Sequence, residues 1–415
     1  MNINSSRQSQ FKSIFYEAIE AVDGARCVSE YLQNQPPLGD VCLIAIGKAA
    51  CSMAHGAQQV LGNYITHHLV ITKHDHDCSL LTNLKVLEAG HPVPDQSSLD
   101  AGEQLIHLLH NIPNNIHLLF LISGGTSSLV EVLPGSATIS ELERLNIWLL
   151  QSGLPIATIN AIRKWASSIK GGRLARHLGN RKTTVLLLSD VQGDDPSVIG
   201  SGLLFPGNET SVHINVESLP EDIRQLLSLA PPMPDPLDPS FNNISWKIIA
   251  NLQQALNAAN TAAKNRGYQT VLHKDYMQGD SIECGKSIAH AMQTQPGKLH
   301  IWGGETTVKL PARPGKGGRC QSLALSAAIA LQHNKDWCLL AAGTDGDDGV
   351  SGAAGVCVDA ESIQRALKKL DKGANALIYL DSADAGSFFE ASDDLIITGP
   401  TGTNVTDLVF GFCVA

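Results

Sequence analysis

Short apolar runs alternate with polar, helix-forming segments along most of the chain. The runs VCLIAI, HHLVIT, HLLFLIS and TTVLLLS are each followed by a turn and then by a segment whose apolar positions recur with a helical period. These runs are continuously apolar, which is typical of strands buried on both faces. The pattern predicts an α/β protein with mainly parallel sheets sandwiched between helices.

The chain length of 415 residues and one break in composition predict two domains. The segment Ala230–Ser240 contains five prolines, which interrupt helices and sheet ladders alike. We therefore expect a linker there, between a larger N-terminal domain (residues 1–235) and a smaller C-terminal α/β domain (residues 236–415). The first is expected to be doubly wound and Rossmann-like, with the active site in the cleft between the domains.

The amino-acid composition disfavours several classes of binding partner. The 30 basic against 40 acidic residues give a net charge of −10, which argues against nucleic acid or an anionic membrane. Nine cysteines without a C-x-x-C pair predict neither a disulfide framework nor a cysteine zinc site. No apolar run approaches the roughly 20 residues of a membrane helix. We expect a cytoplasmic protein that binds small molecules.

Four loops rich in glycine and in acidic or hydroxyl residues directly follow apolar runs. They begin at Ser123, Ser189, Gly303 and Gly343. In open α/β sheets, ligands bind outside the carboxyl ends of the strands, where loop amides and helix N-termini converge. The arrangement indicates an enzyme that handles phosphate groups.

Gly47-Lys48 lies between VCLIAI and a predicted helix, so the ammonium of Lys48 and the first free N–H groups of the helix could face an anion. The segment is not a Walker A loop, because the upstream glycine and the Ser/Thr after the lysine are missing. A solvated surface lysine is the alternative.

The segment ISGGTSS supplies backbone amides and hydroxyl groups for an anion-binding nest. An ordinary turn with a helix cap is the alternative. His91, in EAGHPVPD, is equally compatible with a structural loop residue and with an acid or base.

Two acidic loops are candidates for a metal site. Asp190, Asp194 and Asp195 fall within six residues, and such like charges repel unless a cation or proton is shared. Mg²⁺ suits them, because it prefers one or two carboxylates plus substrate phosphates. Asp195 could instead cap the next helix. The loop starting at Asp345 lacks the glycine and glutamate of a calcium loop, which favours a magnesium-nucleotide loop over an acidic surface turn.

Basic residues are concentrated in two segments of this acidic chain. Arg319 and Lys316 lie in a glycine-rich loop that opens a helix, where an arginine fork could grip a carboxylate or phosphate. Arg163 and Lys170 are seven residues apart and are predicted to share one helix stripe. A solvated loop and a solvated helix face are the respective alternatives.

These motifs together resemble class II glycerate kinases. The resemblance rests on AIGKAA, AGHPVPD, ISGGTSSL, IKGGRLA, SDVQGDDPSVIGSG, GGETTVKL followed by GKGGRCQSLAL, AAGTDGDDG and TGPTGTNVTDL, in this order. It extends from about residue 12 to the C-terminus. It implies an N-terminal α/β domain and a C-terminal domain named for its own motif.

The resemblance implies ATP-dependent phosphorylation of D-glycerate at its 2-hydroxyl, giving 2-phosphoglycerate and ADP with a divalent metal, here Mg²⁺. The family's functional lysine matches Lys48, its acidic loop Asp190, Asp194 and Asp195, and its basic-loop arginine Arg319. The chain departs from the family at SGGTSS, where a third glycine and then Ser-Ala are usual.

Phosphoryl transfer depends on positioning and charge stabilisation, which suggests a role for each residue. We expect Lys48 to neutralise the transferring group, Asp190 to polarise the acceptor hydroxyl, and Arg319 to clamp the glycerate carboxylate. Asp194 and Asp345 are expected to hold Mg²⁺. The predicted substrate- and phosphate-binding residues are Ser123, Gly124, Gly125, Thr126, Ser127, Arg163, Lys170, Glu305, Lys316, Thr344, Thr401 and Asn404.

Two other functions are alternatives to a kinase. A hydroxypyruvate reductase is disfavoured, because no G-x-G-x-x-G lies between a strand and a helix with an acidic residue about 20 positions later. A non-catalytic sugar-acid binding protein is compatible with the fold but needs fewer charged loops. The sequence does not give the oligomeric state and leaves a homodimer open.

Overall fold

The computed structural model describes residues 3–207 and 216–414. It divides into two compact units. Gly24–Ile249 forms one of them, which we call the inserted unit. The chain up to Asp23 and the chain from Ala250 onward together form the other, which we call the flanking unit.

This division differs from the expected boundary at residues 235/236. The proline-rich segment belongs to the inserted unit, where Arg173 Nε donates a hydrogen bond to Pro231 O at 2.8 Å and Met233 lies against Gly171. Five prolines exclude regular secondary structure, but they do not by themselves mark a boundary. The N-terminal helix also belongs to the unit formed by the C-terminal half.

The elements of the described residues follow the predicted alternation. The helices are α1 (Ile3–Ala21), α2 (Gly24–Asn34), α3 (Ala50–Leu61), α4 (Gln96–Asn111), α5 (Thr126–Leu129), α6 (Ile139–Gln151), α7 (Ile156–Trp165), α8 (Glu221–Ser228), α9 (Leu252–Asn265), α10 (Ser281–Thr294), α11 (Arg319–Ala330), α12 (Ser362–Lys369), α13 (Ala376–Asp381) and α14 (Ala385–Ser392). The strands are β1 (Val41–Ile46), β2 (Ile65–Lys73), β3 (Val86–Ala89), β4 (His117–Ile122), β5 (Thr183–Leu188), β6 (Ile244–Ala250), β7 (Thr270–Leu272), β8 (Met277–Asp280), β9 (Leu299–Thr307), β10 (Trp337–Gly343), β11 (Gly355–Asp359), β12 (Leu395–Ile396) and β13 (Asp407–Cys413). Within the described ranges, no helix is long and apolar enough to cross a bilayer.

The sheet of the inserted unit has the strand order β3-β2-β1-β4-β5-β6. The pairs from β3 to β5 are parallel. All six side chains of β1 are buried, as its unbroken apolar sequence requires. This order is that of the doubly wound dinucleotide-binding fold, which confirms the predicted Rossmann-like domain. Its strand order reverses between β1 and β4, the position where ligands bind in such sheets.

The sheet of the flanking unit is mixed. Its order is β12-β11-β10-β13-β9-β7, with β8 also paired to β9. β13 runs antiparallel to both β10 and β9, whereas β7 and β8 run parallel to β9. The expectation of mainly parallel strands is therefore wrong for this unit. A continuous apolar run reports burial on both faces, and such burial does not fix strand direction.

Helix α1 contributes to the core of the flanking unit. It packs against α9 and β10, and the rings of Phe11 and Phe410 meet edge to face at 6.4 Å between centroids. Phe11, Ile14 and Phe15 are fully buried. This packing explains why the first helix belongs with the C-terminal half.

Cys51 and Cys78 form a disulfide whose Cα atoms lie 5.4 Å apart. The sequence predicted no disulfide framework, and this disulfide is a pairing that the prediction did not include. Cys51 lies in α3 and Cys78 in the loop after β2, so the β1-α3-β2 unit brings together two cysteines that are separated by 27 positions. No short cysteine-spacing motif predicts a pair at this separation.

Replacing Cys78 with serine should lower the free energy of unfolding of the inserted unit by about 2–4 kcal/mol. The disulfide joins cysteines 27 positions apart, and closing such a loop restricts the unfolded chain. Urea unfolding under non-reducing conditions measures the loss. Cys284→Ser, at a free and partly exposed cysteine of the flanking unit, is the control. Equal stability of wild type and Cys78→Ser would contradict the pairing.

Candidate active site

The loops after β1 and β4 meet at the point where the strand order of the inserted unit reverses. The two strands are in register from Val41 opposite His117 to Ile46 opposite Ile122. Beyond them, Lys48 N donates to Gly124 O at 2.9 Å, and Ala49 N donates to Ser123 Oγ at 3.0 Å. Lys48 and the glycine-serine loop are therefore brought together, as the sequence predicted.

Gly47 makes this approach possible. A Cβ atom at this position would lie 2.1 Å from Ser123 Oγ and 2.7 Å from Ser123 O. Its φ of 130° is also a conformation that side chains disfavour. Only glycine lets the two backbones come this close and leaves Lys48 at the head of the turn into α3.

The hydroxyl groups of the ISGGTSS segment have different tasks. Ser123 and Thr126 are fully buried, and Thr126 Oγ1 donates to Ile46 O at 2.9 Å and to Ser123 O at 2.7 Å. These two side chains brace the loops internally. Gly125, Ser127 and Ser128 instead line a pocket, so they are the members of the segment that are open to a ligand.

The loop after β5 joins the same end of the sheet. Asp190 is the second residue after β5, the strand next to β4 in the sheet, and Ser201 Oγ lies 2.7 Å from Ser127 Oγ. Asp194 adopts a left-handed φ of 56°. Asp195 accepts a hydrogen bond from Ser197 N at 2.9 Å, the geometry of an Asx turn. The next helical turn, Ile199–Ser201, has Val198 at its N-cap position, so Asp195 is not the cap of that turn.

The pocket beside this junction has a volume of about 200 Å³. A Cβ atom on Gly125 would lie 3.1 Å from Lys48 Cγ and 3.2 Å from His91 Cδ2, so both side chains pass close to this glycine. The pocket lining is made of His91, Pro92, Val93, Pro94, Gly125, Ser127, Ser128, Glu131, Leu142, Asn146, Leu150, Arg163 and Lys170. His91 therefore belongs to the site region.

Lys170 forms a buried ion pair with Glu131, whose other oxygen accepts a hydrogen bond from Ser167 Oγ at 2.5 Å. The side chains of Lys170 and Glu131 are 4% and 1% exposed, so each charge depends on the other. Lys170 lies in the turn after α7, which ends at Trp165. The predicted helix stripe is therefore wrong, although Arg163 and Lys170 do line one pocket.

Arg163 makes a different kind of contact. Its Nε donates to Asn146 Oδ1 at 3.0 Å, and within residues 3–207 and 216–414 no carboxylate pairs with it. Burial lowers the pKa of Arg163 from its ordinary value. A partly buried guanidinium without a counter-charge favours an anionic ligand.

The flanking unit has its own charged cluster. Arg319 begins α11 and forms a two-pronged ion pair with buried Asp407, with distances of 2.6 Å from Nε and 2.9 Å from Nη2. Its Nη1 lies 2.6 Å from Glu305 Oε1. Burial acts to lower the pKa of Arg319, but the charges of Asp407 and Glu305 outweigh it and raise the pKa above its usual value.

Asp348 and Asp345 add negative charge to this cluster. Asp348 accepts hydrogen bonds from Cys320 N at 3.0 Å and Gln321 N at 2.8 Å in the first turn of α11. Burial, together with the charge of Asp407, raises the pKa of Asp348 to about 7. Asp345 is buried, and its Oδ1 accepts from Asp347 N at 3.1 Å.

The remaining predicted residues of the flanking unit lie in loops around this cluster. Thr344 Oγ1 donates to Thr406 O at 2.6 Å, and Thr401 Oγ1 donates to Thr344 O. These hydroxyl groups tie the loops together, and Asn404 is buried. Lys316 is exposed in the loop before α11. Ligand binding by these four residues stays a prediction.

Residues of these clusters that are absent from the predicted catalytic and binding set include His91, Glu131, Asn146, Asp348 and Asp407. Glu131 and Asp407 did carry a signal, because each is a lone acid within an apolar run, LVEVL and VTDLVF. A lone acid in such a run needs a buried partner. Asn146 carries no comparable signal, since it is an ordinary polar residue of an amphipathic helix.

The geometry defines a class of protein. The inserted unit is a doubly wound α/β domain whose switch point holds a lysine, a glycine-serine loop and a small basic pocket. The flanking unit carries an arginine surrounded by carboxylates. This combination is typical of enzymes that act on small anionic molecules.

The comparisons with known proteins agree with this class. A family model described as a domain of unknown function (DUF4147) matches residues 10–227, and one described as the MOFRL family matches residues 298–407. The D-glycerate 2-kinase of Thermotoga maritima is 37% identical, over 97% of each chain. A putative hydroxypyruvate reductase of Agrobacterium vitis is 34% identical, over 89% of this chain and 98% of that protein.

A crystal structure of glycerate kinase from Thermotoga maritima matches with a TM-score of 0.83 and 35% identity, over 99% of this chain and 100% of that chain. The chain belongs to the glycerate 2-kinase family.

Replacing Gly47 with alanine should destabilise the inserted unit and remove activity, because the added methyl group would collide with Ser123. Gly39→Ala is the matched control: Gly39 also has a positive φ, 78°, but nothing lies within 4 Å of its added Cβ. We expect Gly39→Ala to lower the free energy of unfolding by only the backbone strain of a positive φ, about 1–3 kcal/mol. Thermal unfolding measures both, and equal losses would argue against the close approach.

Replacing Asp407 with asparagine should destabilise the flanking unit by about 3–5 kcal/mol, because it leaves a largely buried arginine short of its main counter-charge. Glu305→Gln removes the exposed partner of the same arginine and should cost at most about 1 kcal/mol. Denaturant unfolding compares the two. A larger loss in Glu305→Gln would reverse the assignment of the main partner.

Proposed function

We propose that this protein transfers a phosphoryl group from ATP to the 2-hydroxyl of D-glycerate, giving 2-phospho-D-glycerate and ADP. The observation that carries the proposal is the junction of the loops after β1 and β4, where Lys48 and a small basic pocket lie at the sheet's switch point. Family membership gives the reaction, and the junction gives a place for an anionic substrate.

The two charged clusters suit different parts of such a reaction. The pocket of the inserted unit carries Arg163 and the Glu131–Lys170 pair, whereas the cluster of the flanking unit has one arginine among several carboxylates. We assign the acid and the transferring phosphoryl group to the first cluster. We assign the magnesium-nucleotide to the second, because Mg²⁺ prefers carboxylate oxygens together with phosphates.

The donor set fits Mg²⁺ only with help from the nucleotide. Within the described part of the chain, no three His, Cys, Asp or Glu side chains form a group that could hold a metal ion. Asp345, in the flanking unit, is therefore proposed as a single carboxylate ligand of the magnesium-nucleotide, with the nucleotide phosphates supplying the rest. A metal-binding role for Asp194, in the inserted unit, stays a prediction. When bound, the ion would neutralise phosphate charge.

The proposed roles of the chain's own residues follow from their positions. Lys48, at the head of the turn into α3, neutralises charge on the transferring group, and the amides around Gly125 bind phosphate. Asp190, at the end of β5, polarises the acceptor hydroxyl. Arg319 already pairs with two carboxylates, so we propose that it orients the acidic cluster toward the nucleotide rather than clamping the glycerate carboxylate.

An assay of ADP release with D-glycerate, ATP and Mg²⁺ tests the reaction, and analysis of the product distinguishes 2- from 3-phosphoglycerate. Lys48→Met should lower kcat by about 100-fold or more, as expected for loss of a charge that stabilises the transition state. Lys182→Met, at an exposed lysine of the same unit, should leave kcat unchanged. Comparable activity of the Lys48 and Lys182 variants would remove Lys48 from the mechanism.

Reduction of hydroxypyruvate is a second candidate, favoured by the dinucleotide-type strand order and by the relative that bears that name. The turn after β1 argues against it, since it reads GKAACS and lacks the glycine pattern that admits a dinucleotide pyrophosphate. Oxidation of NADH in the presence of hydroxypyruvate would favour the reductase, and ADP release without NADH oxidation favours the kinase.

A further inference from the structure

The pocket of the inserted unit has a charge balance that suits a singly charged ligand. It is lined by two cationic side chains, Arg163 and Lys170, and one carboxylate, Glu131. Glu131 pairs with Lys170 in a fully buried ion pair, so among the residues that the structure describes no carboxylate balances the charge of Arg163. A monocarboxylate would neutralise it, whereas a nucleotide polyphosphate would leave a large excess of negative charge.

The volume of the pocket also favours a small ligand over a nucleotide. At about 200 Å³ it is smaller than the roughly 300–1,000 Å³ of sites that enclose drug-sized ligands. A nucleotide belongs to that larger class. A hydroxy acid of three or four carbon atoms is a better match, with Leu142 and Leu150 bordering its carbon chain.

Asn146 determines how Arg163 can meet such a ligand. Its side-chain oxygen accepts the hydrogen bond from Arg163 Nε at 3.0 Å, which fixes one edge of the guanidinium plane. The terminal nitrogens Nη1 and Nη2 remain to donate to a carboxylate in parallel, the geometry in which arginine binds this group best. Asn146 is neutral, so it orients the arginine without reducing its charge.

We propose that Arg163 binds the carboxylate of the acceptor acid and that Asn146 is the positioning residue that makes this pocket selective for a small monocarboxylate. This inference rests on the proposed function, because it names how the acceptor of that reaction is recognised. It moves carboxylate recognition from Arg319, the expected clamp, to the inserted unit.

Substitution of Asn146 by aspartate tests the proposal with little change in shape. The new carboxylate would pair with Arg163 and compete with the carboxylate of the substrate. Asn146→Ala keeps the charge of Arg163 but releases its orientation. Gln151→Glu is the matched control, since it adds the same charge by the same amide-to-carboxylate change at an exposed position of the same helix, α6.

The expected result is a graded rise in KM for D-glycerate. Asn146→Ala should raise it about tenfold, as for loss of a hydrogen bond to a charged group, and Asn146→Asp should raise it further. The KM for ATP and kcat should stay within about twofold, and Gln151→Glu should resemble wild type in all three. This split between the two substrates is not expected from a merely structural residue, and thermal unfolding checks that each variant is folded.

A folded Asn146→Asp variant with the wild-type KM for D-glycerate, in a wild type that phosphorylates D-glycerate, would overturn this inference and leave the proposed function intact. If wild type does not phosphorylate D-glycerate, the proposed function fails, and calorimetric titration of D-glycerate into wild type and Asn146→Asp then decides the inference alone. Weaker binding by the variant supports the pocket assignment. Equal binding, or no binding by wild type, overturns it.

Discussion

The contact of the Gly47 backbone with Ser123 is the constraint on which the arrangement of the inserted unit's site depends. It holds the loops after β1 and β4 at a separation that admits no side chain at position 47. Thr126 strengthens the junction by donating to both loops. Since the carboxyl ends of these strands form the switch point, the same contact that joins the two loops also positions Lys48.

The two charged clusters balance their charges in different ways, although the chain as a whole is acidic. In the inserted unit, the one carboxylate of the pocket is neutralised by Lys170, which leaves Arg163 available to an anion. In the flanking unit, Arg319 forms ion pairs with two carboxylates, those of Glu305 and Asp407. The net charge of the chain therefore predicts neither cluster. Each cluster depends on which acidic and basic side chains pair in the folded protein.

The sequence was sufficient for features that are local. The unbroken apolar runs of β1 and β4, followed by glycine, indicate buried strands that end in tight turns, and the structure confirms both. The sequence does not predict the contacts between distant segments. Lys170 reaches Glu131 across 39 positions, and Arg163 reaches Asn146 across 17. Likewise, the strand composition of β13 gives no sign that it pairs between β10 and β9. Such pairings depend on tertiary packing, which local composition does not encode.

The path of the chain through the two units has a consequence for synthesis. The inserted unit is continuous, so it can fold once Ile249 has left the ribosome. Helix α1 is made first, yet its partners α9 and β10 follow that unit in the sequence. Its apolar face, with Phe11, Ile14 and Phe15, therefore stays uncovered during most of translation. Until those partners are made, this apolar face is open to non-native contacts, because transiently exposed hydrophobic surface is prone to aggregation.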